Sequence, residues 1–247
     1  MPIAYARRLT GKDRSADSNR HLGFALTFVA GAINAGGFLA IHQYTSHMTG
    51  IVSALADNVV LGASDLLIPG IGALASFTFG ALCTAVIVNV SKARHLHSSY
   101  ALPLLFEAGL LLCFGAIGSK VSASPSFVPG TMMLLCFIMG LQNAVITKVS
   151  RAEIRTTHLT GVITDIGIEM GRWVYGATAG RGGAVAVDRA RLQMLSTLAA
   201  SFFAGGLFGG WSFQAVGYSA TLPLAALLAA SAIVPAIDDL RTLAVRS

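Results

Sequence analysis

Apolar positions in this chain fall in long unbroken blocks, with no alternation of the β type. Near 23–42, 66–91, 100–119, 128–147, 192–210 and 218–237 the chain carries no basic residue, and a single acid, Glu107, interrupts the blocks. Each block is roughly 19 to 26 residues, and about 20 residues at 1.5 Å rise cross a hydrocarbon core of about 30 Å. The pattern predicts six membrane-spanning helices, with Pro103 tolerated in the first turn of the third because that amide has no intrahelical partner. Two shorter segments break the series, one ending near Gly62 and one near Gly171. The first holds Asp57 and Asn58 within roughly a dozen residues, too short and too polar for an ordinary span.

Both short segments open on the same motif. Thr45-Ser46-His47-Met48-Thr49-Gly50 returns as Thr156-Thr157-His158-Leu159-Thr160-Gly161, and each copy follows an apolar run with a small-residue and Asn signature: Gly31-Ala32-Ile33-Asn34-Ala35, then Gly140-Leu141-Gln142-Asn143-Ala144. Two matched elements in the same order, at nearly the same separation, make an internal repeat. The expected fold is an all-α integral membrane protein. Its six transmembrane helices form two inverted three-helix repeats, each with a short broken or re-entrant helix after a T-x-H-x-T-G motif. The boundaries are a basic cytoplasmic tail over 1–21, a first membrane repeat over 22–120, a second over 121–240 and a cytoplasmic tail over 241–247.

Charge sets the orientation. If neither short segment crosses, 16 of the 17 Lys and Arg residues lie on one side and only Lys120 on the other, which makes the first side cytoplasmic. Both termini then lie in the cytoplasm, and the tail over 1–21 reads as mobile. Three spans per repeat is an odd number, so the halves insert with opposite orientations. Such repeats recur in secondary transporters, with the site where the broken segments meet. With 54% hydrophobic and 11% charged residues, an ordinary soluble domain is excluded. The net charge of +6 therefore reads as topological, and no nucleic-acid partner is expected. Cys83, Cys113 and Cys136 form no C-x-x-C pair and read as packing residues.

Several polar residues are candidates for chemistry. The threonines of each motif (Thr45 or Thr49, Thr156 or Thr160) can cap free backbone amides, and Gly50 and Gly161 permit close approach. Two helix starts, each with a histidine, His47 or His158, would form a proton-responsive, partly positive site. The repeat-related Asn34 and Asn143 are either site-lining or interhelical hydrogen-bond partners. His158, Asp165 and Glu169 share one helical face, which serves a proton relay, a substrate contact or a hydrated amphipathic surface, while Asp57 lies off the His47 direction. Their spacing matches no metal-ligand pattern, so neither metal nor cofactor is expected. Glu107, alone in a span, must be protonated, paired or facing a cavity, and a motif histidine is its expected cationic neighbour. Gly205-x-x-x-Gly209, Gly206-x-x-x-Gly210 and Gly167-x-x-x-Gly171 read as tight intramolecular packing, with homodimer contact as the alternative.

The Gly31 to Ala35 and Gly140 to Ala144 signatures with their two motifs resemble the YoaK family of bacterial inner-membrane proteins, from about residue 22 to 240. The resemblance implies a polytopic helical membrane protein. The expected function is a secondary transporter or permease for a small solute. Its substrate would meet Asn34, His47, Thr49, Gly50, Asn143, His158, Thr160 and Gly161, and Glu107, Asp57, Asp165 and Glu169 would be available for proton coupling. The alternatives are a membrane sensor or scaffold and, third, an intramembrane enzyme; the missing nucleophile-base pattern argues against the last.

Overall fold

The computed structural model describes residues 7, 9–11, 15–121, 127–178 and 187–246. Among the described residues, after the helical residues 7, 9 and 10, the α-helices are α1 (Ala16–Ile41), α2 (Met48–Val60), α3 (Ser64–Ala93), α4 (Ala101–Val121), α5 (Phe127–Val149), α6 (Leu159–Thr178), α7 (Arg189–Val216) and α8 (Thr221–Arg246), with a 3-10 turn, Gly217–Ala220, before α8. The described residues include no strand. Five helical stretches are long and apolar enough to cross a membrane: α1, α3, Ala101–Gly118, α5 and the 53-residue stretch Arg189–Arg241, which takes in both α7 and α8. At 1.5 Å per residue that last stretch would run about 80 Å as one helix. Gly217, at φ +58°, divides it.

The six long helices pack in three pairs: α1 along α7, α3 along α5, and α4 along α8. Glycine makes the first two pairs close. A Cβ at Gly31 would collide with the Phe202 carbonyl of α7, and one at Gly205 with the Phe28 carbonyl of α1. Likewise a Cβ at Gly80 would strike the Phe137 carbonyl of α5, and one at Gly140 the Phe77 carbonyl of α3. All four sites read Phe-x-x-Gly in sequence, so the α1–α7 contact is repeated by α5–α3. Between lipid-embedded helices, where burial from water supplies no drive, such close backbone approach is the main source of adhesion. The doubled glycine pattern of α7 splits accordingly. Gly205 and Gly209 meet α1, whereas Gly210, and Gly167 and Gly171 on α6, face open space. The expected tight packing thus holds for one register of α7 and fails for α6.

Contacts at the helix termini define two ends of the molecule. At one, Asn19 Nδ2 donates to the Val149 carbonyl at 3.3 Å and Lys148 Nζ to Asn89 Oδ1 at 3.4 Å. At the same end, Asp239 of α8 accepts the His97 and Ser98 amides just before α4, each at 2.8 Å. At the other end Tyr218 meets Phe114, Phe127 and Phe213 edge to face. Hence α1 runs away from the first end and α5 runs back towards it.

Three boundaries differ from the expectation. The N-terminal tail is docked in its described part: Arg7 forks onto Asp238 at 2.6 and 2.8 Å, and buried Thr10 donates to the Ser231 carbonyl at 2.8 Å. That carbonyl lies four residues before Pro235, which has no N–H to offer it, so Thr10 fills a place the proline leaves vacant. Helix α1 also starts inside the tail, because Ser15 accepts the Ser18 amide and Asp17 sits in the first turn. In the second half α6 spans 20 residues against 13 for α2. The C-terminal tail continues α8 to Arg246, and half of the expected linker over 176–191, residues 179–186, lies outside the described residues.

Candidate functional site

Each motif sits at a helix start, with the histidine as the cap residue: the His47 carbonyl accepts from Ile51 N at 3.1 Å and the His158 carbonyl from Val162 N at 3.2 Å. Neither start uses threonine as expected. His47 caps α2 without a side-chain bond, Thr45 Oγ1 is buried with no partner, and Thr49 and Thr160 already lie within the first turns. The hydroxyls of the motif turn instead to the asparagine of their own half. Ser46 Oγ donates to Asn34 Oδ1 at 2.9 Å, and its counterpart Thr157 Oγ1 donates to Asn143 Oδ1 at 2.9 Å, with Thr156 alongside at 3.3 Å. Asn34 and Asn143 thus fasten the non-helical turn to the long helix that precedes it. The glycines explain the histidine positions. A Cβ at Gly50 would collide with the His47 imidazole, and one at Gly161 would lie 2.6 Å from His158 Nδ1. Only glycine lets each ring fold back over the first helical turn.

Each histidine then lines a cavity. The first, about 460 Å³, is bounded by Tyr44, His47, Gly50, Ile51, Ala54, Leu55 and Asn58, with Leu66, Pro69 and Gly70 of α3 opposite. The second, about 590 Å³, is bounded by His158, Gly161, Val162 and Asp165, with Arg191, Met194 and Leu195 of α7 opposite and Arg20, Glu153, Arg155 and Asp188 at its rim. The linings correspond position by position: Ile51 with Val162, Ala54 with Asp165, Leu66 with Arg191, Pro69 with Met194, Gly70 with Leu195. The first cavity is nearly uncharged and the second is charged. Arg20 and Tyr44 flank α1 at its two ends, and 26 residues at 1.5 Å put those ends about 39 Å apart. The cavities therefore open at opposite ends of the molecule. The two motifs do not converge on one central site.

The charged cavity is internally paired. Arg191 Nη2 lies 2.9 Å from Asp165 Oδ2, and Asp188 Oδ1 caps α7 by accepting Arg191 N at 2.9 Å. Glu169, almost fully buried, takes Arg172 Nη1 at 2.7 Å and the Asp188 amide at 3.2 Å. Asp165 and Glu169 thus share a face of α6 as expected, but both carboxylates turn to arginine, not to His158. Asp57 is exposed near the end of α2.

Glu107 lines neither cavity. It is fully buried on α4 and accepts from Gln142 Nε2 at 3.0 Å; no motif histidine reaches it, contrary to the expected cationic neighbour. Glu107 Oε2 and Gln142 Oε1 remain without partners. A carboxylate can only accept, whereas a protonated acid can donate to an amide oxygen, so the pair is complementary when Glu107 carries a proton. Gln142 occupies the position that Ile33 holds in the first half. The sequence reading passed over it, although a polar residue breaking the match between two otherwise similar apolar signatures was the available signal. Also missed was a shared Leu-Pro-Leu in the first turns of α4 and α8, Leu102-Pro103-Leu104 and Leu222-Pro223-Leu224. No group of three or more His, Cys, Asp or Glu among the described residues is arranged to hold a metal ion.

Long apolar helices packed through glycine, whose few buried polar groups are mostly hydrogen-bonded, define a polytopic α-helical membrane protein. The chain belongs to the family described as "Protein of unknown function (DUF1275)", whose model matches residues 22–234. It is 26% identical over 144 residues to the UPF0700 transmembrane protein YoaK of Bacillus subtilis (strain 168), a match covering 57% of this chain and 62% of that protein. The chain thus spans just over three fifths of the curated relative's length. No solved structure matches it.

Proposed function

We propose that this protein is a secondary transporter of a small solute, built as two inverted three-span repeats in the bacterial inner membrane with both termini in the cytoplasm. One observation carries the reading: two cavities lie at opposite ends of the molecule, on corresponding residues of the two halves. Alternating access exposes a site between inverted repeats first to one side and then to the other as one repeat moves against its counterpart, and two corresponding cavities at opposite ends suit the two vestibules of such a path. The concentration of basic residues at the end holding Arg20, Lys92, Lys148, Arg155 and Arg191 favours that end as cytoplasmic.

In this reading His47, Thr49 and Gly50 on one side, and His158, Thr160 and Gly161 on the other, meet the solute in turn, and the histidines bind it without catalysing a reaction. Asn34 and Asn143 hold the turns that present them. Asp57, Asp165 and Glu169 act only as secondary proton carriers, since the last two are already engaged with arginines. Glu107 is the coupling group: a buried carboxylate costs several kcal/mol unless paired or protonated, and its bond to Gln142 is the contact that a change of protonation would remake.

The test is uptake by the purified full-length chain in proteoliposomes across a solute panel. At least one solute should accumulate, and His47→Ala and His158→Ala should each lower its initial rate by about tenfold or more with the thermal transition unchanged. Folded protein that moves no member of a broad panel would overturn the transport reading in favour of a sensor or scaffold.

A further inference from the structure

The basic end holds another cavity, of about 750 Å³, that belongs to neither motif. It lies where the start of α1, the α3–α4 connection and the turn after α5 meet. Lys92, His95, Lys148 and Arg151 line it, against one carboxylate, Glu153. The ion pairs among the described residues engage Arg7, Arg20, His97, Arg172 and Arg191, so none of these four is in one of them. Two are nevertheless held in place. Lys92 Nζ sits 5.1 Å over the Tyr100 ring and Lys148 Nζ is 3.4 Å from Asn89 Oδ1. Neither partner carries charge, so positions are fixed while the positive potential is left unspent, which suits a multiply oxygenated anion such as a phosphate.

The flank of the cavity indicates the source of that phosphate. Helix α3 has only 22% of its most apolar stretch buried, and Leu82 and Val86, which share a helical face with Asn89, the anchor of Lys148, are each 52% exposed. An apolar strip thus runs along α3 to Asn89, beside Lys148 of the cationic cavity. Acyl chains would cover that strip; a free phosphate would leave it bare. We propose that this cavity binds the phosphate headgroup of an anionic membrane lipid whose acyl chains lie along α3, an assignment independent of whether the protein transports a solute.

Native mass spectrometry of the full-length chain in neutral detergent, titrated with phosphatidylglycerol and with phosphatidylcholine, tests it. Phosphatidylglycerol should bind about tenfold tighter, and Lys92→Gln with Lys148→Gln should bring it to the phosphatidylcholine level. Arg189→Gln with Arg241→Gln removes the same charge outside the cavity and should change the preference by less than about twofold. If the double variant is not recovered folded, Lys92→Gln alone, at an exposed position, should weaken phosphatidylglycerol by about threefold or more. Equal binding of the two lipids overturns the proposal. So does an equal loss in the Arg189 and Arg241 control, which would mean diffuse surface charge, or displacement of the lipid by glycerol phosphate at matched concentration, which would mean a soluble phosphate ligand.

Discussion

At the scale of single residues, Glu107 and Gln142 make the sharpest case. Both are completely buried, they share one hydrogen bond, and each keeps an oxygen without a partner. Orphaned polar atoms at such depth cost about 1–3 kcal/mol each, a cost that persists in a folded protein only where the surroundings compensate or the function uses it. Glu107→Gln retains shape and can donate to Gln142 Oε1, yet it cannot release a proton. The variant should fold at wild-type yield and exchange solute at equilibrium, while accumulation driven by an imposed proton gradient falls to the undriven level. Unchanged gradient-driven accumulation would remove Glu107 from the coupling scheme. The motif histidines are a contrasting case, because their positions depend on a neighbour's missing side chain: Gly50 and Gly161 make room for rings that make no capping bond of their own at α2.

At the scale of elements, the reciprocal pairs α1–α7 and α3–α5 rest on the four Phe-x-x-Gly sites. A methyl at Gly205 would meet the Phe28 backbone, which cannot rotate away, whereas one at Gly210 would meet nothing within 4 Å. Gly205→Ala should therefore destabilise the chain by about 1–3 kcal/mol through overpacking. Gly210→Ala should stay within about 0.5 kcal/mol or gain slightly from helix propensity. Reversible unfolding in mixed micelles measures both, and equal losses at the two positions would mean that the close approach of α1 and α7 is not what holds them together.

At the scale of the whole molecule, the orientation of the halves decides whether the two cavities can serve the two sides of a membrane. In a background with Cys83, Cys113 and Cys136 replaced, Lys92→Cys should react with a membrane-impermeant thiol reagent only after the cytoplasmic face is opened. Lys120→Cys should react from outside in intact cells. Labelling of Lys92→Cys from outside, with Lys120→Cys protected, would mean that the first half crosses an even number of times, and would remove the inverted arrangement and with it the alternating exposure of the cavities.

Long apolar blocks, their lengths and the place of each motif were legible in the sequence, because hydrocarbon forces every spanning segment to satisfy its own backbone bonds within about 20 residues. The helix starts were legible for the same local reason, since a motif such as Thr45 to Gly50 carries its own turn. What could not be read along the chain was partnership across it. Thr10 meets the carbonyl left by Pro235, more than 220 residues away, and the threonines expected as caps gave way to Ser46 and Thr157 bonding Asn34 and Asn143. Glu107 found Gln142 in place of a histidine because helix rotation, set by the glycine contacts of neighbouring pairs, decides which side chain faces which. Likewise the sequence supplied two histidines in equivalent settings, but only the packing of α2 on α3 and α6 on α7 made them the walls of two separate cavities, one charged and one nearly not.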